Sequence, residues 1–275
     1  MNRRHFLTAL LVAPLLLTQL ARAANLDDIR ANGVLRVAVY RDFPPFSFVK
    51  DGELTGIDVD LARAIGKKLG VAVNFMPITP ADDVDGDLRN AVWKGHYLGG
   101  GTADLMLHVP FDRELARRND NAYLFSPYYS ENLAWAGGNV PGSTLQIGQD
   151  SIAVENDSLA DLYLSALQGG RLRSQLQHYP SAQGAVAALR EDKASAVYGT
   201  QSELEWGLSQ GDWRIGQPQA PGLLKARWEV GMATKESLRD LAWAASDAVT
   251  ELRQSGELAR LFARYRVSYR APDEH

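Results

Sequence analysis

The segment from Val34 to Leu69 constrains the fold more strongly than any other part of the sequence. It begins with a run of β-branched residues that predicts a strand over residues 35–40. Two prolines within residues 42–46 then restrict the backbone to a turn. A helix is predicted between Gly56 and Gly70, because its apolar residues recur at every fourth position. With a second apolar strand predicted over residues 71–77, this order of elements indicates a parallel βαβ unit.

Two acidic residues, Asp58 and Asp60, lie at the start of the predicted helix. Carboxylates in a first turn are favoured by the helix dipole and by the unpaired N–H groups there. We therefore interpret both residues as part of the helix start. The sequence contains neither a G-x-S-x-G nor an H-E-x-x-H motif, and its histidines are scattered. It predicts no catalytic residue, cofactor or metal site, and hence a protein that is not an enzyme.

The first 23 residues are predicted to be a signal peptide, with Arg3 and Arg4 as its charged region and residues 6–20 as its apolar region. The apolar run is short for a membrane span, so we expect export to the periplasm, by the Sec or the twin-arginine route.

Removal of this segment, which also contains Arg22, leaves 26 of the 29 basic residues against 33 acidic ones. The resulting net charge of about −7 argues against nucleic acid as a partner. The chain has no cysteine, and therefore neither a disulfide nor a thiolate metal site.

Two motifs together carry a resemblance to a known family: D-F-P-P-F at residues 42–46 and G-I-D-V-D at residues 56–60. The chain resembles the family 3 periplasmic solute-binding proteins, which deliver polar amino acids to ABC importers. Residues 123–130 are similar to the F-S-x-P-Y-Y segment of that family, and residues 133–136 are expected to form a strand that crosses into the second lobe. The resemblance implies an α/β fold with two lobes, the type II periplasmic-binding-protein fold. Each lobe would be a mixed sheet flanked by helices, with two crossover strands as the hinge.

The resemblance also implies a division of the chain into lobes. Lobe 1 is expected to be discontinuous, formed by residues 24–133 and 229–275, and lobe 2 to comprise residues 134–228. Two helices after residue 235 resemble the pair that closes the family's first lobe, since they carry the apolar periodicity of packed helices. A monomer is the usual state for this resemblance.

Several candidate ligand-binding residues of lobe 1 follow from the resemblance. Phe43 matches an aromatic residue that stacks on the ligand in relatives. Arg113 lies near the position of an arginine that grips the ligand carboxylate, as a planar guanidinium does well. However, the Gly-x-Thr segment that precedes this arginine in relatives is absent, so Arg113 either binds ligand or only caps or bridges. His108, at the carboxyl end of a predicted strand, is either a ligand contact or a packed histidine. Tyr128, near the expected hinge, is likewise either a contact or part of the packing.

The anchors expected in lobe 2 are altered. Relatives place Gly-Thr or Gly-Ser before a helix whose N–H groups bind a carboxylate, whereas this chain has Asp157 and Ser158, which also suit an N-cap. Thr200 stands where relatives have the aspartate that holds the ligand amino group. A buried ammonium without its counter-charge costs several kcal/mol. The sequence therefore predicts this fold without the usual amino-acid specificity.

The segment from residue 79 to residue 110 departs most from the family pattern. It contains a helix predicted over residues 88–93. The end of this helix and the residues after it include Trp93, His96 and Tyr97, followed by a run of three glycines that permits unusual backbone angles. Two interpretations stay open: a long flexible turn, or a mobile segment near the ligand cleft. If a protein partner binds this chain, the same three residues are candidates for the contact surface.

Two functional hypotheses follow. In the first, the chain is a periplasmic solute-binding protein that captures a small polar solute between its lobes for an ABC permease in the inner membrane. In the second, it assists a periplasmic quinoprotein (PQQ) alcohol dehydrogenase or its cytochrome and no longer serves transport. Residues 92–113 are reminiscent of a branch of this fold that is encoded with such dehydrogenases. Neither hypothesis requires a bound cofactor.

Overall fold

A computed structural model describes residues 25–137, 151–216 and 226–273 of the chain, so the predicted signal peptide lies outside the described residues. The strands are β1 (Val34–Tyr40), β2 (Phe48–Lys50), β3 (Glu53–Thr55), β4 (Ala72–Ile78), β5 (Leu105–Pro110), β6 (Ala122–Gly137), β7 (Ile152–Glu155), β8 (Leu176–Tyr179), β9 (Ala196–Thr200), β10 (Ile215–Gly216) and β11 (Arg227–Lys235). The α-helices are α1 (Leu26–Asn32), α2 (Ile57–Leu69), α3 (Val84–Leu88), α4 (Arg113–Arg118), α5 (Leu159–Ala166), α6 (Ala182–Arg190), α7 (Gln201–Gly207), α8 (Arg239–Gln254) and α9 (Glu257–Arg264).

The predicted βαβ unit is confirmed. Strand β1 pairs in parallel with β4 along its whole length, from Val34 opposite Ala72 to Tyr40 opposite Ile78. Helix α2 connects the two strands and buries Leu61 and Ile65 completely against the sheet. Strand β5 pairs in parallel with β1 on its other side. Strand β11 then pairs antiparallel with β5, and β6 pairs antiparallel with β11. Strands β2 and β3 form a hairpin beside this sheet, with Asp51 and Gly52 at its turn.

Strand β6 is longer than the sequence predicted. A strand was expected over residues 133–136, whereas β6 has 16 residues and includes the preceding F-S-P-Y-Y segment. Its first part pairs with β11, and its last part pairs with β9, from Leu133 opposite Thr200 to Gly137 opposite Ala196. Strands β9, β7 and β8 continue the sheet in parallel. The chain therefore crosses from one half of the molecule to the other within β6 and returns in β11.

The start of another helix also differs from the prediction. The sequence suggested a helix from Leu88 to Trp93, but α3 begins at Val84, where the Asp83 carboxylate caps the Gly86 N–H at 2.7 Å. The chain then continues as a π-helical turn from Arg89 to Trp93. Apolar periodicity does not reveal this N-cap. Asp83 is one of several acidic residues in this segment, so the sequence does not show which of them caps the helix.

The two helices predicted to close the first half are confirmed as α8 and α9. Their apolar stripe packs on α2 and the sheet, with Leu241, Ala245 and Phe262 fully buried. This places the core of the first half on one face of the sheet, while a smaller cluster around Leu88 and Met106 covers the other face. Among the described helices, none combines the length and the apolar character needed to cross a membrane.

Candidate functional site

The parallel strands of both halves end at one cleft, which we define as the space between the carboxyl ends of β1 and β5 and those of β7 and β9. Open α/β sheets bind ligands at this edge, because the loops that follow the strands meet there. Phe43 follows β1, His108 lies near the end of β5, Ser158 follows β7 and Thr200 ends β9. The fold thus brings together four of the candidate residues that the sequence analysis selected.

Phe43 is held in the turn that the two prolines predicted. Its N–H donates to the Ser47 carbonyl at 2.7 Å, and the Ser47 hydroxyl donates to the Tyr40 carbonyl at 2.6 Å. The Phe43 ring stacks on Phe46 with 5.3 Å between centroids and meets the His108 ring edge-on at 4.7 Å. The turn therefore presents a half-buried aromatic ring at the cleft in a defined orientation.

A cavity of about 130 Å³ lies between Phe43 and the second half of the molecule. We call it the Phe43 cavity. Its lining residues come from the turn after β1, from β6, from the carboxyl ends of β7 and β9, and from helices α5, α6 and α7. They are Phe43, Leu133, Glu155, Ser158, Leu159, Ala160, Ala182, Ala185, Val197, Tyr198, Gly199, Thr200, Glu203 and Leu204. A small organic molecule fits a space of this scale, since an apolar cavity of about 150 Å³ can hold benzene.

Ser158 and Thr200 cap the helices that begin at the cavity. The Ser158 hydroxyl accepts from the Asp161 N–H at 3.2 Å and donates to the Glu155 carbonyl at 2.7 Å. The Thr200 hydroxyl donates to the Glu203 carboxylate at 2.6 Å and accepts from the Glu203 N–H at 3.5 Å. Each residue thus serves as an N-cap, as expected for Ser158, and each also borders the cavity.

Two carboxylates and a phenol that the sequence analysis did not select also line the cavity. Burial raises the pKa of Glu203 to about 8, although the hydrogen bond from Thr200 lowers it, and only 7% of this residue is exposed. Burial likewise raises the pKa of the half-buried Glu155. Tyr198 is buried, which raises its pKa, and its hydroxyl has no hydrogen-bond partner among the described residues. No sequence motif marks these three residues. Their position at the cavity, beside α5 and α7, is visible only in the structure.

His108 and Tyr128 belong to one buried hydrogen-bond network centred on Asp58. The Tyr128 hydroxyl donates to Asp58 Oδ1 at 2.6 Å, and His108 Nδ1 lies 3.1 Å from Asp58 Oδ2. The Tyr128 hydroxyl also accepts from the His108 N–H at 3.2 Å. Asp58 and Tyr128 are almost completely buried, and burial raises the pKa of Tyr128 well above its ordinary value. His108 has a φ of 60°, a left-handed conformation that is uncommon for residues other than glycine.

Asp58 and Asp60 lie in the first turn of α2, as the sequence predicted, but their carboxylates also bind distant parts of the chain. Neither carboxylate caps α2, whose N-cap position is Gly56 without a side-chain bond. Asp58 instead binds the two side chains described above, and Asp60 accepts from the Tyr265 hydroxyl at 2.9 Å. These partners lie 50 to 205 residues away along the chain. Sequence spacing within the helix therefore carried no signal for them.

Three further candidates, Arg113, Tyr128 and Asp157, do not line the Phe43 cavity. Arg113 is the first residue of α4, with Asp112 as its N-cap, and it does not line the Phe43 cavity. Asp157 is exposed, has a φ of 59°, and donates its N–H to Asp161 Oδ2 at 2.9 Å. Tyr128 contributes to the site through Asp58 and His108 rather than through an exposed surface. The ligand contacts assigned to these three residues stay predictions.

Trp93, His96 and Tyr97 lie at the opposite edge of the sheet from the cleft. The glycine run that follows them precedes β5, and the Arg36 guanidinium near the start of β1 donates to the Gly100 carbonyl. Because β1 and β5 are parallel, their amino ends meet at the edge far from His108. The interpretation that places this segment near the ligand cleft is therefore wrong. The alternative of a protein contact stays a prediction, and Tyr97 is 87% exposed.

A buried ionic cluster joins the two halves where β6 crosses between them. Glu131 of β6 is only 2% exposed; the Ser202 hydroxyl of α7 donates to its carboxylate, and the Arg270 guanidinium lies 3.4 Å away. Arg270 also lies 3.1 Å from Glu205. Burial raises the pKa of Glu131, while Ser202 and Arg270 lower it. The C-terminal tail thereby contacts both the crossover strand and the second half.

No group of three or more potential metal ligands occurs within residues 25–137, 151–216 and 226–273. The polar side chains at the cleft are instead hydroxyls, carboxylates and one imidazole, which bind ligands through hydrogen bonds and charge.

The molecule has two α/β halves joined by crossing strands, and a cleft lies at the carboxyl ends of their parallel strands. This is the two-lobed architecture of the periplasmic-binding-protein type.

Comparison with known proteins agrees with this class. Residues 35–91 match the model of the bacterial extracellular solute-binding proteins, family 3. The predicted resemblance to that family is confirmed. The chain is 27% identical over 223 residues to a probable histidine-binding protein of Campylobacter jejuni, a match that covers 75% of this chain and 78% of that protein.

A second relative is the cyclohexadienyl dehydratase of Pseudomonas aeruginosa, with 38% identity over 77 residues. This match covers 27% of the chain and 29% of the dehydratase, so the chain matches less than a third of that relative's length. Because this relative is an enzyme, the absence of catalytic activity in our chain stays a prediction.

The solved structure of an ancestral cationic amino acid solute-binding protein, AncCDT-1, has the same fold. Its TM-score is 0.70 at 19% sequence identity, and the match covers 87% of this chain and 98% of that one. The predicted α/β fold with two lobes is thereby confirmed.

Proposed function

We propose that this protein captures a small polar solute between its two lobes and delivers it to an ABC permease in the inner membrane. The observation that carries the proposal is the Phe43 cavity, which is lined by an aromatic ring from one half and by helix starts from the other. We propose residues 24–133 with 229–275 as lobe 1 and residues 134–228 as lobe 2. The periplasm is the compartment in which such a receptor meets its permease.

Contacts between the halves support closure around a solute. The Gln183 side chain at the start of α6 donates to the Pro44 carbonyl at 3.4 Å. The rings of Phe48 and Trp206 meet with 5.4 Å between centroids. Both contacts join the segment after β1 to helices of the second half. A solute that bridges Phe43 and Thr200 would add to these contacts and favour the closed arrangement.

The proposed specificity differs from that of an α-amino-acid receptor. The residues that line the Phe43 cavity include no arginine or lysine to hold a carboxylate, and Thr200 replaces the aspartate expected for an amino group. The histidine-binding and cationic-amino-acid-binding names of the matched proteins nevertheless place basic solutes among the first to test.

A thermal-shift screen of the mature chain tests the proposal, with amino acids, amines, small acids, alcohols and quinone cofactors as separate groups. A ligand at a hundred times its Kd stabilises by about 2.7 kcal/mol, which shifts the Tm by roughly 5–10 °C. Phe43→Ala should abolish most of this shift, whereas Tyr97→Ala, at the opposite edge of the sheet, should leave it unchanged. The absence of a shift with every group would contradict solute binding.

The accessory role is the second candidate, and one observation favours it. Tyr97 and Leu98 are 87% and 78% exposed, side by side on the loop before β5. A purified periplasmic quinoprotein dehydrogenase, immobilised and tested for direct binding, provides the assay. Binding that is lost in a Tyr97→Ser, Leu98→Ser double variant would support this role. Binding that the double variant retains, or no binding at all, would count against it.

A further inference from the structure

Two acidic side chains line the Phe43 cavity, and the described residues of its lining include no basic side chain to pair with them. Glu203 is 7% exposed, and within the described parts of the chain its carboxyl group accepts a side-chain hydrogen bond from the neutral Thr200 hydroxyl alone. The Glu155 carboxylate also lines the cavity, and its negative charge raises the pKa of Glu203. Within residues 25–137, 151–216 and 226–273, no arginine, lysine or histidine lines the cavity. Unpaired buried carboxylates are costly, and a bound cation would remove that cost.

A second observation, independent of the two carboxylates, concerns His108. Its Nδ1 faces the Asp58 carboxylate, which can only accept hydrogen bonds, so Nδ1 carries the proton. In the neutral imidazole this leaves the lone pair on Nε2, and Nε2 has no hydrogen-bond partner within the described parts of the chain. The Tyr128 hydroxyl fixes Asp58 from the other side at 2.6 Å. The network therefore fixes the orientation of the ring, and Nε2 of the neutral imidazole can accept a hydrogen bond from a ligand.

Phe43 links these two features. Its ring contacts the His108 ring at 4.7 Å and also lines the cavity that contains Glu155 and Glu203. The face of an aromatic ring attracts organic cations through its quadrupole. The cleft thus combines an aromatic ring, an imidazole acceptor and two carboxylates, and each of these groups interacts favourably with a positively charged donor.

We infer that the cleft binds an organic cation that lacks a carboxylate: an alkylammonium, amidinium or guanidinium compound. This inference rests on the proposed solute-binding function and names its ligand class. Glu203 and Glu155 pair with the positive charge, His108 accepts a hydrogen bond, and Phe43 covers the apolar part. Asp58 and Tyr128 are positioning residues, because they act through His108. A carboxylate on the ligand would be repelled by the two glutamates.

Pairs of compounds that differ only in a carboxylate provide the test. Isothermal titration calorimetry of the mature protein would compare agmatine with arginine, and putrescine with ornithine. We expect each amine to bind at least tenfold more tightly than the amino acid of its pair. Butyrate and butylamine form a third pair that separates anions from cations.

Variants assign the binding to the cavity. Glu203→Gln and Glu155→Gln should each weaken agmatine binding at least tenfold. Glu191→Gln is the matched control, because Glu191 is an exposed residue that pairs with Lys193 away from the cavity, and it should change the affinity less than twofold. A urea unfolding curve for each variant shows that it is folded.

Proton release gives an independent readout. Because burial raises the pKa of Glu203 to about 8, this residue holds a proton at neutral pH, and a bound cation should displace it. Titrations in buffers of different ionisation enthalpy should show close to one proton released per agmatine for the natural protein. The Glu203→Gln variant should release almost none.

Three outcomes would overturn the inference. Arginine or ornithine binding more tightly than its amine would show that the site requires a carboxylate. Unchanged agmatine affinity in both glutamine variants would place the cation elsewhere. Binding of an uncharged or anionic solute without any response to cations would refute the ligand class and leave the proposed solute-binding function standing. That function fails only if no group of the thermal-shift screen binds.

Discussion

Replacement of Glu203 by glutamine should change how the stability of this protein depends on pH. Glutamine has nearly the same shape and can still accept the Thr200 hydrogen bond, which is 2.6 Å long in the natural protein. It cannot ionise, however. Because burial raises the pKa of Glu203 from 4.5 to about 8, folding favours its protonated form. The stability from this group is complete below the unfolded pKa and is lost as the pH rises through the folded pKa.

The magnitude follows from the size of the shift. One pKa unit corresponds to about 1.4 kcal/mol, so the shift of Glu203 is equivalent to about 4–5 kcal/mol above the folded pKa. Between about pH 5 and about pH 8.5, the natural protein should lose roughly 3–4 kcal/mol relative to the Glu203→Gln variant. Acidic groups that do not interact with Glu203 contribute equally to both proteins and cancel in the comparison. The charges of Glu155 and Glu131 raise the pKa of Glu203, so their effect on it is part of the measured difference.

Urea unfolding followed by tryptophan fluorescence measures this difference, since the chain contains six tryptophans. Free energies of unfolding would be compared at about pH 5, 7 and 8.5 for the natural protein, Glu203→Gln and the exposed control Glu191→Gln. We expect the control to follow the natural protein and the Glu203→Gln curve to diverge upward as the pH rises. Parallel curves for all three proteins would refute the assignment of Glu203 as a buried carboxyl that resists ionisation.

Three further predictions concern other parts of the molecule. Asp58→Asn should destabilise the protein by about 1–3 kcal/mol in urea unfolding, because it disturbs the buried bonds to His108 and Tyr128; a change below about 0.5 kcal/mol would contradict this role. Arg270→Met should cost about 3–5 kcal/mol at neutral pH, since it leaves Glu131 buried without its cation, and the cost should shrink in acid as Glu131 takes up a proton. An equal cost at every pH would argue against that pairing. Tyr97→Ala should change the free energy of unfolding by less than about 0.5 kcal/mol, because Tyr97 is on the surface, and a larger loss would show that its ring is packed.

Local patterns predicted much of the fold correctly. The β-branched run of β1, the apolar periodicity of α2 and the stripe of α8 each report which side of an element is buried, and this information lies within a few consecutive residues. The N-cap at Ser158 is similar, because a capping hydroxyl bonds to backbone groups only three residues away. Motif order then added the two-lobed arrangement through a family resemblance.

The position of the glycine-rich loop shows where such patterns stop being informative. Its residues allow either a plain turn or a segment near the cleft. The parallel pairing of β1 with β5 decides the question, because the loop precedes β5 and must lie at the amino ends of both strands. Pairing between strands separated by more than sixty residues is a property of the sheet, not of the loop sequence.

The sequence by itself thus determined the elements, their order and the aromatic turn at Phe43, since short-range backbone preferences and apolar periodicity encode them. Only the tertiary structure decided the character of the site. It turned Asp58 from an apparent helix-start residue into the carboxylate that orients His108, and it placed Glu155 and Glu203 in one cavity without a basic neighbour in its lining. The physical reason is that the charge and proton affinity of a carboxyl group depend on burial and on partners that are distant in sequence, which no local pattern records.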